Sequence, residues 1–241
     1  QWHSVGPKII QDLSSTGRHQ ECLKACQKLI QIEPESPLPW KYAGKSLLAL
    51  AQFEKAQQCL TKAHQLNKKD PETIKDIGNT FNALQNDAEA TRLYKAALSI
   101  DRNYAPAINN LGLIAMRRGD LATAEKLVKK ASDLDKSCAH YQINLGSIYK
   151  DIGNLELALT FTLKSLELEP NNPAAHTNLG SIYKDLGDLD QALAYSLKSL
   201  ELKPYNPIAY MNLGTIYLGL RQYKKALIAA LESAKLQPEN S

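Results

Sequence analysis

The chain has 241 residues, a hydrophobic content of 44% and a charged content of 22%, which are values of an ordinary globular protein and exclude wholesale disorder. Its 29 Lys and Arg residues exceed its 25 Asp and Glu residues by only four, and no basic cluster is interleaved with aromatic residues. This excludes the strongly basic surface typical of nucleic-acid-binding proteins, so we expect no nucleic-acid partner.

The lengths of the apolar segments, the first residues of the chain and the spacing of the cysteines exclude several classes of protein. The longest apolar runs, such as 47–51, are far shorter than the roughly 18 residues that span a bilayer, so we expect no membrane span. The chain opens QWHSVGPK, with neither Met nor an apolar signal segment, which is typical of a fragment. The cysteines have neither a disulfide framework nor zinc-ligand spacing, so we predict buried packing thiols, a cytoplasmic location, and neither metal nor cofactor. They are Cys22, Cys26, Cys59 and Cys138.

Small residues recur along the whole chain with a period of 34. Glycine occupies six positions at this spacing: Gly44, Gly78, Gly112, Gly146, Gly180 and Gly214. Alanine follows each glycine by twelve residues, at Ala56, Ala90, Ala124, Ala158, Ala192 and Ala226. Seven periods cover residues 3–240, so the sequence predicts one continuous array of repeats.

The first repeat, 3–36, departs from the others. It has Ile10 where later repeats have the recurring glycine, although Gly17 and Pro34 still follow the period. Because proline is favoured at the first position of a helix, we predict that Pro7 begins a shortened first helix. A terminal repeat lacks a neighbour on one side, so this unit is predicted to be an amino-terminal cap.

The repeat 139–172 shows the internal pattern most clearly. Apolar residues at helical spacing predict a first helix, which Gly153 should end by adopting a left-handed conformation. Asn154 can then cap a second helix, and Gly146 and Ala158 are small enough to let the two helices touch. One such hairpin cannot bury both of its apolar faces. The pattern therefore predicts an all-α fold in which stacked hairpins share a core.

The last repeat, 207–240, ends in an apolar helix. Leu227, Ala230, Leu231 and Ala234 lie where an internal repeat would be covered by its successor. Because repeat arrays usually end in a polar cap, we predict an exposed apolar face here. Either the natural chain continues or another copy covers this face, and continuation is the favoured interpretation.

The repeat resembles a known family. A 34-residue helix–turn–helix with Leu-Gly, a Tyr three residues later, then Ala and Pro is similar to the tetratricopeptide repeat, as in NLGSIYKDIGN from Asn144 and NLGSIYKDLGD from Asn178. The resemblance is closest in style to bacterial arrays and to the array of O-GlcNAc transferase. It implies a right-handed superhelical α-solenoid and a single domain over residues 1–241. Its units are 3–36, 37–70, 71–104, 105–138, 139–172, 173–206 and 207–240.

The resemblance also implies that the first helices line a concave groove, which the residue two before each glycine faces. Four of these residues are asparagines, and the backbone of an extended peptide needs donors and acceptors of this kind. The array of O-GlcNAc transferase binds extended peptides in this way. Asparagine before Leu-Gly is also common in these repeats generally, where it solvates the groove. The predicted peptide-binding asparagines are Asn110, Asn144, Asn178 and Asn212.

Three more residues are predicted to line the groove. Asn79 follows its glycine by one residue, and Lys150 and Lys184 lie one turn further along, each followed by an aspartate. We predict that they contact polar or charged side chains of a ligand. The alternative is that the repeated Lys-Asp pairs are ordinary solvated helix ends.

We find no nucleophile beside a base, no phosphate-binding loop and no set of metal ligands, so the chain is not expected to be an enzyme. The sequence predicts a protein–protein interaction scaffold that binds an extended peptide or a partner protein in its groove. Two alternatives remain. The array is the substrate-docking arm of a larger enzyme of the glycosyltransferase or sulfotransferase type, or it self-assembles through its last helix.

Overall fold

The computed structural model describes residues 2–236, with side chains from Val5 onward, and these residues form α-helices without any β-strand. The described residues contain fourteen helices: α1 (Trp2–Ser15), α2 (His19–Ile32), α3 (Pro37–Ala49), α4 (Phe53–Leu66), α5 (Pro71–Ala83), α6 (Asp87–Ile100), α7 (Ala105–Arg117), α8 (Leu121–Leu134), α9 (Ala139–Ile152), α10 (Leu155–Leu168), α11 (Pro173–Leu186), α12 (Leu189–Leu202), α13 (Pro207–Gly219) and α14 (Tyr223–Leu236).

The helices follow the predicted 34-residue units, and in every unit except 105–138 the two helices are seen to pack as a hairpin. The odd-numbered helices are the first helices of their repeats, and the even-numbered helices are the second helices. The chain is therefore the predicted all-α solenoid of helix–turn–helix repeats. It divides into two compact units, unit 1 (Gln1–Ile114) and unit 2 (Ala115–Ser241).

The turn within the hairpin of repeat 5 has the predicted chemistry. Gly153 follows α9 with a φ of 89°, in the left-handed region where glycine meets no steric penalty. Asn154 then caps α10, because its side-chain oxygen accepts a hydrogen bond of 3.0 Å from the backbone N–H of Leu157. Both predictions for this turn are confirmed.

The recurring glycines allow the two helices of a hairpin to touch. A Cβ atom at Gly146 would lie 2.1 Å from Oγ1 of Thr162 and 3.2 Å from the carbonyl oxygen of Ala158. At Gly180 it would lie 2.4 Å from Oγ of Ser196. Because protein interiors are close-packed, no side chain fits at these positions while the helices keep this distance. The predicted close contact at Gly146 and Ala158 is confirmed.

Neighbouring repeats share a core, as stacking requires. In unit 2, Leu145, Ile148 and Tyr149 of α9 form one buried cluster with Val128 of α8 and Ile182 of α11. The cluster therefore combines side chains from three successive repeats. A single hairpin could not bury these residues alone.

Repeat 1 confirms one prediction and corrects another. Cys22 and Cys26 are fully buried, with their Sγ atoms 3.9 Å apart, so they are packing thiols as predicted, whereas Cys59 and Cys138 are only partly buried. The prediction that Pro7 begins a shortened helix is wrong, because α1 begins at Trp2 and contains Pro7. Little more than one helical turn precedes this proline. Its missing N–H therefore removes only one hydrogen bond, near the end of the helix.

Candidate functional site

The four predicted asparagines lie on first helices: Asn110 on α7, Asn144 on α9, Asn178 on α11 and Asn212 on α13. We call the surface formed by the first helices of one unit its first-helix face. In unit 2, α11 packs against both α9 and α13, so Asn144, Asn178 and Asn212 lie on adjacent helices. Asn110, Asn144 and Asn178 are half-buried, whereas Asn212 is only 3% exposed.

In unit 2 the asparagines bond to the preceding repeat. Nδ2 of Asn178 donates a hydrogen bond of 2.7 Å to Oγ of Ser147, and it lies 3.5 Å from the carbonyl oxygen of Ile143. Nδ2 of Asn212 donates a hydrogen bond of 3.2 Å to the carbonyl oxygen of Thr177. Within the described part of the chain, the side-chain oxygen of Asn178 accepts no hydrogen bond. This oxygen can therefore accept one from a ligand.

Asn79 is the centre of a similar network in unit 1. Its Oδ1 accepts a hydrogen bond of 2.9 Å from Nδ2 of Asn110 and another of 2.8 Å from the hydroxyl of Tyr94. Its Nδ2 donates to Oδ1 of Asp76 over 3.2 Å. The amide of Asn79 thus holds residues of two repeats in fixed positions.

The asparagine links recur at one sequence interval. Asn110 reaches Asn79, and Asn178 reaches Ser147, in both cases 31 residues back along the chain. The acceptor in each case is the polar residue that directly follows the recurring glycine. We did not predict these links from the sequence, although this spacing was the signal that could have revealed them.

Lys150 and Lys184 lie in the last turns of α9 and α11, where the helix dipole favours a cation. Their Nζ atoms lie 3.9 Å and 3.4 Å from the carboxylate of Asp185, whereas Asp151 is exposed. Asp185 is therefore the carboxylate that both lysines approach. The two Lys-Asp pairs balance in charge, and their lysines remain partly exposed.

The first-helix face of unit 1 carries an ion cluster that the sequence analysis missed. Nζ of Lys41 lies 2.8 Å from Asp70 and also pairs with Glu72, and Nζ of Lys45 lies 2.7 Å from Glu72. Burial alone would raise the pKa of Asp70 and of Glu72. Hydrogen bonds and the attraction of the lysine charges together outweigh it and hold both pKa values below their usual range. These charges are largely paired with one another.

Asp76 occupies the asparagine position of repeat 3 and is buried. Its Oδ1 accepts hydrogen bonds from Lys75 and Asn79. Its Oδ2 is buried without a hydrogen-bond partner among the described residues. Burial raises the pKa of Asp76 in spite of the opposing attraction of Lys75. This site therefore disfavours the charged carboxylate.

The last hairpin exposes large apolar side chains, and one of them, Met211, lies at a position that the two preceding repeats bury. Met211 is 55% exposed, whereas Thr177 and Ile143, at the same repeat position, are 6% and 7% exposed. Leu227 and Leu231 of α14 are 62% and 52% exposed. The predicted apolar face of the last helix is confirmed. We call Met211, Leu227 and Leu231 the C-terminal face.

No group of three or more His, Cys, Asp or Glu residues among the described side chains, residues 5–236, is placed to hold a metal ion. In the same range, no helix combines the length and the apolar character that crossing a bilayer requires.

Family models described as the tetratricopeptide repeat match residues 139–172, 161–194 and 208–240. The matches to 139–172 and 208–240 coincide with the helix pairs α9–α10 and α13–α14, whereas the match to 161–194 begins inside α10 and ends inside α12. The helices of residues 2–236 follow the same 34-residue period and fit a tandem tetratricopeptide-repeat array. No curated protein matches its sequence.

Solved structures share the fold of this tetratricopeptide-repeat array. A chain in the crystal structure of the APC/C hetero-tetramer Cut9–Hcn1 is similar with a TM-score of 0.88 at 18% identity, over 97% of this array and 46% of that chain. PilF of Pseudomonas aeruginosa has a TM-score of 0.69 at 18% identity, over 86% and 95% of the two chains. YrrB, titled a TPR protein with an unusual peptide-binding site, has a TM-score of 0.52 at 24% identity, over 76% and 95%. The array thus spans less than half of the Cut9–Hcn1 chain that it resembles.

Proposed function

We propose that this array binds an extended segment of a partner protein along its first-helix faces. The tetratricopeptide-repeat fold is in general a scaffold for protein–protein interactions. Binding of an extended segment is supported by the half-buried carboxamide of Asn178. Its nitrogen is held by the hydrogen bond to Ser147, and its oxygen has no partner among the described residues. A carboxamide held in this way can accept a hydrogen bond from the backbone N–H of a ligand.

The other predicted site residues are assigned roles within this proposal. Asn110 and Asn144 contact the backbone of the segment, Asn79 positions Asn110 by accepting its hydrogen bond, and Asn212 is the most buried of the asparagines, with its amide on Thr177. Lys150 and Lys184 contact acidic side chains of the segment, because both lysines remain partly exposed. Fixed amides lose little conformational entropy on binding, and recognition of the backbone tolerates many ligand sequences.

Two features support this choice of ligand. YrrB is described as having a peptide-binding site, so an array of this fold is compatible with a bound peptide. Fixed amides also offer the donors and acceptors that the backbone of an extended chain needs.

The proposal is tested by selecting binders from a library of random, unstructured peptides. We expect peptides to be enriched, and we expect the double variant Asn144→Ala with Asn178→Ala to weaken the selected peptide at least about tenfold, because several hydrogen bonds are lost. Asn171→Ala is the matched control, since Asn171 is exposed in the turn before α11. Failure to enrich any peptide would contradict the proposal, and so would equal affinities of the double variant and the control.

A second function, self-association, is favoured by the exposure of the C-terminal face. We expect the molar mass in light scattering to rise above 26.7 kDa with increasing concentration. Substituting both Leu227 and Leu231 by Gln should abolish the rise. Leu197→Gln is the matched control, because Leu197 occupies the repeat position of Leu231 and is 46% exposed. A constant mass of the unmodified chain would contradict self-association. The alternative of a docking arm in a larger enzyme stays a prediction, which the full reading frame tests.

A further inference from the structure

Unit 1 contains a cleft of about 650 Å³ between α2, α3 and α4. Its lining includes Trp40, Ala43 and Leu47 of α3 and Cys59 of α4. The indole N–H of Trp40 donates a hydrogen bond of 2.9 Å to the carbonyl oxygen of Pro34, which holds the ring in place. The volume lies within the range of about 300–1,000 Å³ that is typical of sites for small ligands.

Aromatic rings fill the equivalent position in two repeats of unit 2. Phe161 occupies the repeat position of Cys59, and its ring stacks on that of Tyr149 with 5.2 Å between the centroids. Tyr195 occupies the same position one repeat later and stacks on Tyr183 at 5.4 Å. In these repeats, a ring from the second helix packs against a ring of the first helix.

Repeat 2 lacks this pair of rings. Cys59 stands at the position of the second-helix ring, and Leu47 stands at the position of the first-helix tyrosine. Trp40 corresponds to His176, whose ring lies 5.8 Å from that of Tyr195. The cleft therefore includes the space that an aromatic ring fills in the two repeats of unit 2. Trp40, Cys59 and Leu47 border this space. A ring supplied by a ligand can make the stacking contact that other repeats make internally.

The charged part of the cleft lining is positive. Four glutamines and the ammonium group of Lys55 contribute to its lining, the glutamines being Gln27, Gln31, Gln52 and Gln58. The described residues that line the cleft include no acidic side chain, and Lys55 is exposed without a carboxylate partner among the residues described. A complementary ligand therefore combines an apolar ring with an anionic group.

We propose that this cleft binds a small aromatic anion, with its ring between Trp40 and Cys59 and its carboxylate or sulfonate group beside Lys55. Burial raises the pKa of Cys59, so its thiol stays protonated and presents an apolar wall. The site contains none of the first-helix asparagines, so its occupation is independent of the proposed peptide binding.

The test uses anilinonaphthalene sulfonate, an aromatic anion whose fluorescence is excited by energy transfer from tryptophan. In a Trp2→Phe background, Trp40 is the one remaining tryptophan of the chain. We expect saturable transfer to the probe. Cys59→Leu introduces the residue that repeat 3 has as Leu93 and fills the cleft, so binding should weaken about tenfold or more. Cys59→Ala keeps the cleft open and should bind as the background protein does.

The charge of the ligand is tested separately. Lys55→Gln should weaken the probe about two- to fivefold, as expected for an exposed ion pair. Lys95→Gln is the matched control, because Lys95 is exposed on α6, away from the cleft lining. Unchanged binding in Lys55→Gln would overturn the assignment of an anion.

A second measurement needs no substitution. Bound probe should protect Cys59 from alkylation by N-ethylmaleimide, as read by peptide mass mapping. Equal alkylation with and without probe would overturn the proposal. The proposal would also be overturned if energy transfer to the probe did not saturate. It would be overturned as well if a Cys59→Leu protein of unchanged helicity bound the probe with wild-type affinity.

Discussion

The side-chain amide of Asn178 donates a hydrogen bond of 2.7 Å to the hydroxyl of Ser147, which fastens α11 to the first helix of the preceding repeat. The same carboxamide is the proposed contact for a ligand backbone. The two roles are separable by mutation. Ser147→Ala removes the acceptor of the link and leaves the amide, whereas Asn178→Ala removes both.

Both substitutions should lower the free energy of unfolding by about 0.5–1.5 kcal/mol, the usual net value of one hydrogen bond. Their effects on the binding of a selected peptide should differ. Asn178→Ala should weaken binding about fivefold or more, and Ser147→Ala less than about twofold. Urea unfolding and fluorescence anisotropy measure the two quantities. Equal losses of affinity would show that Asn178 acts only by fastening the repeats.

Glycine at the helix contact should be required in repeat 5 and dispensable in repeat 7. Gly146→Ala places a Cβ atom 2.1 Å from Oγ1 of Thr162 and should destabilise the chain by about 1–3 kcal/mol. A Cβ atom at Gly214 would have the carbonyl oxygen of Ala226 as its nearest neighbour, 3.7 Å away. Gly214→Ala should therefore stabilise by up to about 1 kcal/mol, the helix-propensity difference. Urea unfolding followed by circular dichroism measures both, and shifts of the same sign would contradict the prediction.

A second substitution tests why Gly146→Ala should destabilise the chain. Repeat 7 has Ala230 at the position of Thr162. Thr162→Ala added to Gly146→Ala should recover part of the lost stability, because the hydroxyl is then gone. The carbonyl oxygen of Ala158, 3.2 Å from the new Cβ, should prevent full recovery.

Asp76→Asn should stabilise the chain at neutral pH. Burial raises the pKa of Asp76, so the folded state disfavours its charge, and its Oδ2 has no partner among the described residues. Removing the charge should raise the free energy of unfolding, because the folded state then no longer buries a carboxylate whose charged form it disfavours. Asp70→Asn is the contrasting control and should destabilise, because Asp70 is held charged by Lys41. A lower thermal midpoint for Asp76→Asn would contradict this account.

The loss of folding stability at acidic pH should depend on Asp70 and Glu72. Both have folded-state pKa values below their usual ones, so their contribution is fully present above the unfolded pKa of about 4 and is lost as the pH falls through the folded values. Glu72→Gln should flatten the loss of stability between neutral and acidic pH. Urea midpoints at several pH values measure this. An unchanged slope in Glu72→Gln would contradict the role of the lysine pairs.

Features that depend on residues of one hairpin could be predicted from the sequence. The period of 34, the turn at Gly153 and Asn154, and the contact of Gly146 with the second helix follow from steric and capping rules that act locally. The exposed C-terminal face follows from the same pattern. Pro7 was misjudged because a proline about one turn into a helix removes only one hydrogen bond.

Features that depend on distances between repeats could not be predicted. The period shows that Asn178 and Ser147 occur on successive first helices, but the angle between hairpins decides whether their side chains meet. The ion cluster of Lys41 with Asp70 depends on the same angle. The cleft beside Cys59 depends on the volumes of side chains from three helices, which the residue types alone do not place around one space.

Recognition of the ligand backbone by first-helix asparagines is tested most directly with ester analogues of a selected peptide. Replacing one backbone N–H at a time by an ester oxygen removes a donor and leaves the side chain unchanged. We expect ester substitution at the central positions to weaken binding about fivefold or more, and alanine substitution of neutral side chains at those positions to have little effect. The opposite result, with tolerated esters and strong dependence on those side chains, would contradict the account.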